Sequence, residues 1–134
     1  MALAPVDLQA LQSLCELNYR RLRQLMTEVG CSPLLSVAGG ELSWRAHRLS
    51  PHTSRVDLCW QRAPRHLWPD TVWQLHMYHD AQMLEVHAVG RHARIRVRNA
   101  QPHPRGHGRD EKWQVNQFLG LLLSHALAHR QSWV

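Results

Sequence analysis

The sequence predicts an α+β domain in which two helices, one N-terminal and one C-terminal, pack on one face of a roughly five-stranded antiparallel sheet. Apolar and polar residues alternate with a period of two through ELSWRAHR, SRVDLCWQ, TVWQLHMYH, MLEVHAV and ARIRVR, the pattern of strands with one buried and one wet face. The turns between these segments keep their apolar sets on the same side. Apolar residues at helical spacing are confined to the two ends of the chain.

The first helix spans residues 7 to 29. Leu8, Leu11, Cys15, Leu22, Leu25, Met26 and Val29 form its stripe, Asp7 suits the N-cap, and Gly30 stops it. Residues 31 to 40 read as a loop with a short strand at Leu35 to Ala38. In the hairpin that follows, Leu42, Trp44 and Ala46 share a face, as do Val56, Leu58 and Trp60, with SPHT as the turn. A proline-bearing connection, residues 62 to 70, leads to a three-stranded meander. If Asp80-Ala81 and Gly90-Arg91 are its two-residue turns, Met77 faces Leu84, Leu75 faces Val86, Val86 faces Ile95 and Leu84 faces Val97. The polar rows are then His76–Glu85–Arg96 and Gln74–His87–Arg94, with opposed side chains about 5 Å apart. AQPHPRGHG reads as a surface loop, and a second helix runs from Asp110 to about Arg130. Val115, Phe118, Leu119, Leu122 and Ala126 make its main stripe, Leu121 and Leu123 widen it, and Gly120, Ser124 and Ala128 form a ridge that would admit the first helix or a second copy of the chain.

With 134 residues the chain has the length of one domain, taken as 1–134, and enough surface to bury a core without disulfides. Cys15, Cys31 and Cys59 lie in apolar patterns with no CxxC pair, as reduced thiols in a cytoplasm would. No stretch approaches the roughly 20 apolar residues that span a bilayer, so no membrane association is expected. The net charge of +6 favours an acidic partner. Lys112 is the sole lysine, and arginine's planar fork suits carboxylate and phosphate, although an arginine-rich codon bias explains the same count.

Catalytic signatures are weak. Cys15 and Arg21 have the spacing of a cysteine phosphatase, and Trp68-Pro69-Asp70 spells that family's acid loop. Yet Cys15 sits mid-helix without the glycines that cradle phosphate. His125 and His129 stand one helical turn apart but lack further ligands, so neither a metal nor a cofactor is expected. Arg94, Arg96 and Arg98 share one strand face, and with His76, His87 and Tyr78 they form the candidate anion site; the bland reading is an edge strand kept soluble by charge. A secondary candidate comprises His79, Asp80, Arg109 and Lys112. There Asp80 also fits an ordinary turn residue, and Asp110 and Glu111 suit the positive end of a helix.

Three blocks, LCELNYRRLRQLM, YHDAQMLEV and RDEKWQVNQFLGLLLSHALAHR, resemble the YqiB-like family of small bacterial proteins of unknown function. The resemblance covers most of the chain and is thinnest over residues 31 to 70. It carries over at Cys15, Glu16, Asn18, Leu22, Tyr78, His79, Asp80, Glu85, Arg109, Asp110, Glu111, Lys112, Asn116, Phe118 and Leu119. It implies a bacterial cytoplasm and brings no established catalytic role to these positions. The expectation is a non-enzymatic binding or regulatory module that engages an anionic partner (a nucleotide, a nucleic acid or an acidic protein surface) through the basic sheet face. The alternatives are a homodimeric adaptor using the C-terminal helix and an enzyme of nucleotide or phosphate chemistry centred on Tyr78, His79 and Asp80.

Overall fold

Leu11, Cys15, Leu22 and Leu25 recur at helical spacing, and in the computed structural model they form the buried stripe of α1 (Leu8–Val29). The structure describes residues 8–29, 34–64, 67, 69–91 and 107–129. After α1 come β1 (Leu34–Val37), β2 (Gly40–Ser50), β3 (Thr53–Arg62), β4 (Thr71–Tyr78), β5 (Met83–Gly90) and α2 (His107–His129). The strands form one sheet in the order β1-β2-β3-β4-β5, each pair antiparallel.

Sequence alternation becomes burial as expected. Leu42, Trp44, Val56, Leu58, Trp73, Leu75, Met77, Leu84, Val86 and Ala88 are buried, while the residues between them are partly exposed. Tyr19, Leu22 and Leu25 of α1 and Leu119, Leu123 and Ala126 of α2 join the sheet's apolar residues in one core cluster. The helix pair comes nearest to the sheet along β5, and α2 also reaches β1. There Ala38 N donates to His129 O at 3.2 Å, and His125 Nε2 donates to Ala38 O at 2.6 Å. His125 thus clamps a helix end to a turn.

The sheet departs from the sequence reading in its bulge and its turn, and part of that reading lies outside the described residues. The fifth described strand is the short β1, whereas the strand expected at 93–98 lies outside the described residues, as do Asp7, Gly30 and the side chains of Arg109 and Asp110. Between β4 and β5 the pairs Met77↔Leu84, His76↔Glu85 and Leu75↔Val86 match expectation, but Gln74 then pairs with Ala88. His87 is the extra residue of a bulge, so the expected Gln74–His87 pair does not form. Their connection is a four-residue turn, His79 to Gln82, with Gln82 left-handed at φ 54°. A two-residue and a four-residue loop centred on the same point leave the same strand partners opposed, so the register survives the change of turn.

The α2 stripe is also rotated from its expected place. Asn116, Leu119, Leu123 and Ala126 are buried, whereas Phe118 is 59% exposed and Leu121 63%. The rotation follows from a close approach of α1 to Gly120. A Cβ at Gly120 would lie 2.8 Å from Arg21 Nη1 and 2.9 Å from Asn18 Oδ1, so α1 occupies the small-residue ridge there. Fully buried Asn18 donates from Nδ2 to Asn116 O at 2.9 Å and accepts from Arg21 Nη1 at 3.0 Å. These bonds fix the axial register of the two helices. Leu8, expected on the α1 stripe, is 57% exposed.

Candidate functional site

Two polar clusters flank the core. The first lies on the sheet face away from the apolar cluster. The antiparallel register sets His47, Arg55, His76 and Glu85 in one row and Arg45, Asp57 and Gln74 in the next. Arg55 Nε donates to Asp57 Oδ1 at 3.1 Å, and His47 Nε2 lies 3.7 Å from Asp57 Oδ2. Lys112 Nζ reaches Glu85 Oε1 at 3.5 Å. The bulge at His87 brings its ring onto that of His76, with centroids 4.3 Å apart and planes 7° from parallel. Tyr78 meets His76 edge-on, with centroids 6.2 Å apart.

The structure brings His76, His87 and Tyr78 together and adds Arg55 to them. Arg94, Arg96 and Arg98 lie outside the described residues. Burial, then the neighbouring His87 and Arg55, hold the His76 imidazole below its ordinary value near 6.5, against an opposing pull from Glu85. Burial and Glu85 push the Tyr78 phenol up. Both shifts come first from burial, and on this surface Arg55 and Lys112 already contact carboxylates.

The second cluster lies on the helix side, where β4 ends. Alternation sends Tyr78 to one face and His79 to the other. His79 Nδ1 shares a hydrogen bond with Tyr19 Oη at 2.9 Å, and its Nε2 shares one with Ser54 Oγ at 2.8 Å. Arg23 Nη1 donates to Tyr19 Oη at 3.3 Å, and His79 N donates to His52 O at 2.8 Å. Chain segments 60 and 25 residues distant thus converge on one imidazole. Burial, then Arg23, Arg48 and His52, lower the His79 pKa from near 6.5, while Asp80 opposes them.

Of the secondary candidates, Asp80 and Lys112 engage groups other than His79. Asp80 Oδ1 accepts from Ala81 N at 2.9 Å, the local turn role, and Lys112 engages Glu85. The Arg109 side chain is outside the described residues. A catalytic grouping of Tyr78, His79 and Asp80 is absent from this geometry, because the first two occupy opposite faces and the third bonds its own turn. The partners that do meet His79 are Tyr19, Ser54 and Arg23, which sequence reasoning missed. Tyr19 carried a signal, since it lies four residues after Cys15 and three before Leu22, on the apolar stripe of α1. Cys15, on that stripe, is buried, and its thiol is pushed up to about 11 by burial and then by Glu85, with Lys112 opposing. Such a thiol is a packing residue rather than a nucleophile.

Comparison with known proteins adds kinship. No helix among the described residues is long and apolar enough to cross a membrane. No solved structure matches the chain. Proteins called "Uncharacterized protein YqiB" from Escherichia coli strains K12, O6:H1 and O157:H7 are each 32% identical to it over 127 residues, covering 92% of this chain and 90% of theirs. The family model described as "Protein of unknown function (DUF1249)" matches residues 18–132. That match takes in Tyr19, Ser54, His76, His79 and His87, so both clusters fall inside the shared region, and the chain belongs to the DUF1249 family.

Proposed function

We propose that the protein is a non-enzymatic binding module of the bacterial cytoplasm that engages an anionic partner through the outward face of its sheet. The observation that carries this reading is the parallel stack of His76 on His87 beside Arg55. Burial, the stacked His87 and Arg55 disfavour the protonated form of His76. An anion laid across the stack favours protonated His76, so binding takes up a proton there and tightens as pH falls through the histidine range. Arg94, Arg96 and Arg98 extend the same polar pattern in the sequence.

The test is a binding titration of the full chain against single-stranded RNA, duplex DNA, nucleotides and an acidic peptide at pH 7.5 and pH 5.5. For a nucleic-acid strand, the log–log salt slope should be near −0.7 per phosphate contact, by the usual estimate. The expected result is tighter binding at the lower pH, with the pH effect lost in the His76→Gln/His87→Gln double variant. Equal affinity at both pH values would remove the stacked histidines from the reading.

A further inference from the structure

The cations of the two clusters are balanced differently. On the outward face Arg55 and Lys112 each contact a carboxylate. At the helix-side corner Arg23 of α1 reaches His79 through Tyr19 Oη, and Arg48 of β2 is tied to Pro51 O, next to the His52 O that accepts from His79 N; both arginines lower the proton affinity of His79. Among the described residues, no ion pair engages Arg23 or Arg48. The neighbouring acid, Asp80, accepts from Ala81 N at Oδ1 and offsets the arginines at His79 only in part.

The arginines retain donor capacity. Arg23 gives one N–H to Tyr19 Oη, while Arg48 gives Nε to Ser50 O at 3.3 Å and Nη2 to Pro51 O at 3.1 Å. A guanidinium has further N–H groups beyond these contacts. The carbonyl contacts fix the Arg48 fork at the β2–β3 turn, and Tyr19 steers Arg23 toward the same imidazole. Like charges drawn together from two elements destabilise the free protein and favour an anion that neutralises them. A recess of about 270 Å³ opens alongside, lined by Glu16, Arg20, Ala81 and Gln82.

We propose that this corner binds a small phosphomonoester, with its phosphoryl group between Arg23 and Arg48 and its alcohol portion in the recess beside Arg20. The charge selects the class. Two guanidiniums from separate elements match a dianion, and the forked donors suit tetrahedral phosphate oxygens. His79 serves as a positioning residue, since both ring nitrogens are taken by Tyr19 and Ser54 and it holds the two sides of the corner together. A dianion placed here also raises the proton affinity of His79, which gives the site its own signal.

The experiment follows the His79 imidazole resonance of the full chain at pH 7 and constant ionic strength. The probes are glycerol 3-phosphate and a nucleoside monophosphate, with the monoanion dimethyl phosphate as the charge control. The expected result is a saturable shift with at least one monoester, the tighter ester identifying its alcohol class. Affinity should fall roughly tenfold or more in Arg23→Gln and in Arg48→Gln, the scale of a lost charge-assisted hydrogen bond. Both side chains are exposed, so the variants keep the fold. The His76→Gln/His87→Gln variant should bind the ester unchanged, which separates this corner from the outward face. Absence of a saturable shift with either ester, equal affinity in the Arg23→Gln/Arg48→Gln double variant, or equal binding of dimethyl phosphate would overturn the proposal.

Discussion

The outward sheet face and the helix-side corner are built from similar residues, histidines and arginines held at strand spacing, yet they differ in what balances the charge. On the face, Asp57 and Glu85 contact Arg55, His47 and Lys112. At the corner the groups that bind His79 and Arg23 are neutral hydroxyls. Exposed ion pairs add little to stability and are screened by salt. A half-buried hydrogen-bond chain is different, because removing one member leaves the others unsatisfied. The face is therefore tunable, whereas the corner is structurally committed.

Removing the Tyr19 hydroxyl should break this contrast most strongly if it is mistaken. Tyr19 is 3% exposed, and Tyr19→Phe strips partners from His79 Nδ1 and Arg23 Nη1 together. Urea unfolding should report a loss of about 1–3 kcal/mol, against roughly 0–1 kcal/mol for Arg55→Gln on the face. Equal losses would mean that the corner's bonds count no more than surface pairs.

An intermediate effect is expected from pH. His76 and His79 have folded-state pKa values below the ordinary 6.5, so the unfolded chain binds protons first as pH falls. Their contribution to stability is complete above about pH 6.5 and is lost as pH falls through the depressed folded values. Urea midpoints measured from pH 8 to pH 5 should decline across that window. The decline should be shallower in His79→Gln and, separately, in His76→Gln; a slope unchanged in both variants would assign the pH dependence elsewhere.

The smallest change in stability should come from Asp57→Asn, which removes the shared partner of Arg55 and His47. Stability should move by about 0–1 kcal/mol. Anion affinity on the face should nonetheless rise, because the variant reproduces there the unbalanced charge of the corner. Unaltered anion binding would show that ion pairing on the face does not limit its capture of ligands.

Much of this architecture is legible in the residues. Alternation in Trp73, Leu75 and Met77 against Leu84 and Val86 predicts both the buried face and the register at the end of the hairpin, because a slip of one residue would expose the whole set. The bulge at His87 was not legible, since one additional residue in a strand leaves no mark in a period-two pattern whose apolar side continues through Ala88. Phe118 misled for another reason. Apolar residues occupy almost every side of α2, so spacing could not say which of them the close approach at Gly120 would turn inward. The corner was half visible: His79 stood out as a candidate, while Ser54 and Arg48 looked like ordinary hairpin residues until the fold brought β2, β3 and α1 to one place.

The hydrogen bond from Asn18 Nδ2 to Asn116 O joins residues 98 apart in sequence. Loop closure over such a span contributes late in folding, after the locally connected hairpins have repaid their own entropy. The two terminal helices then act as a clasp, since Asn18 Nδ2 released from Asn116 O would lie unsatisfied beside the core. Hydrogen exchange should find α1 and α2 opening together with one shared free energy, while the strands of the central hairpin retain slower amides.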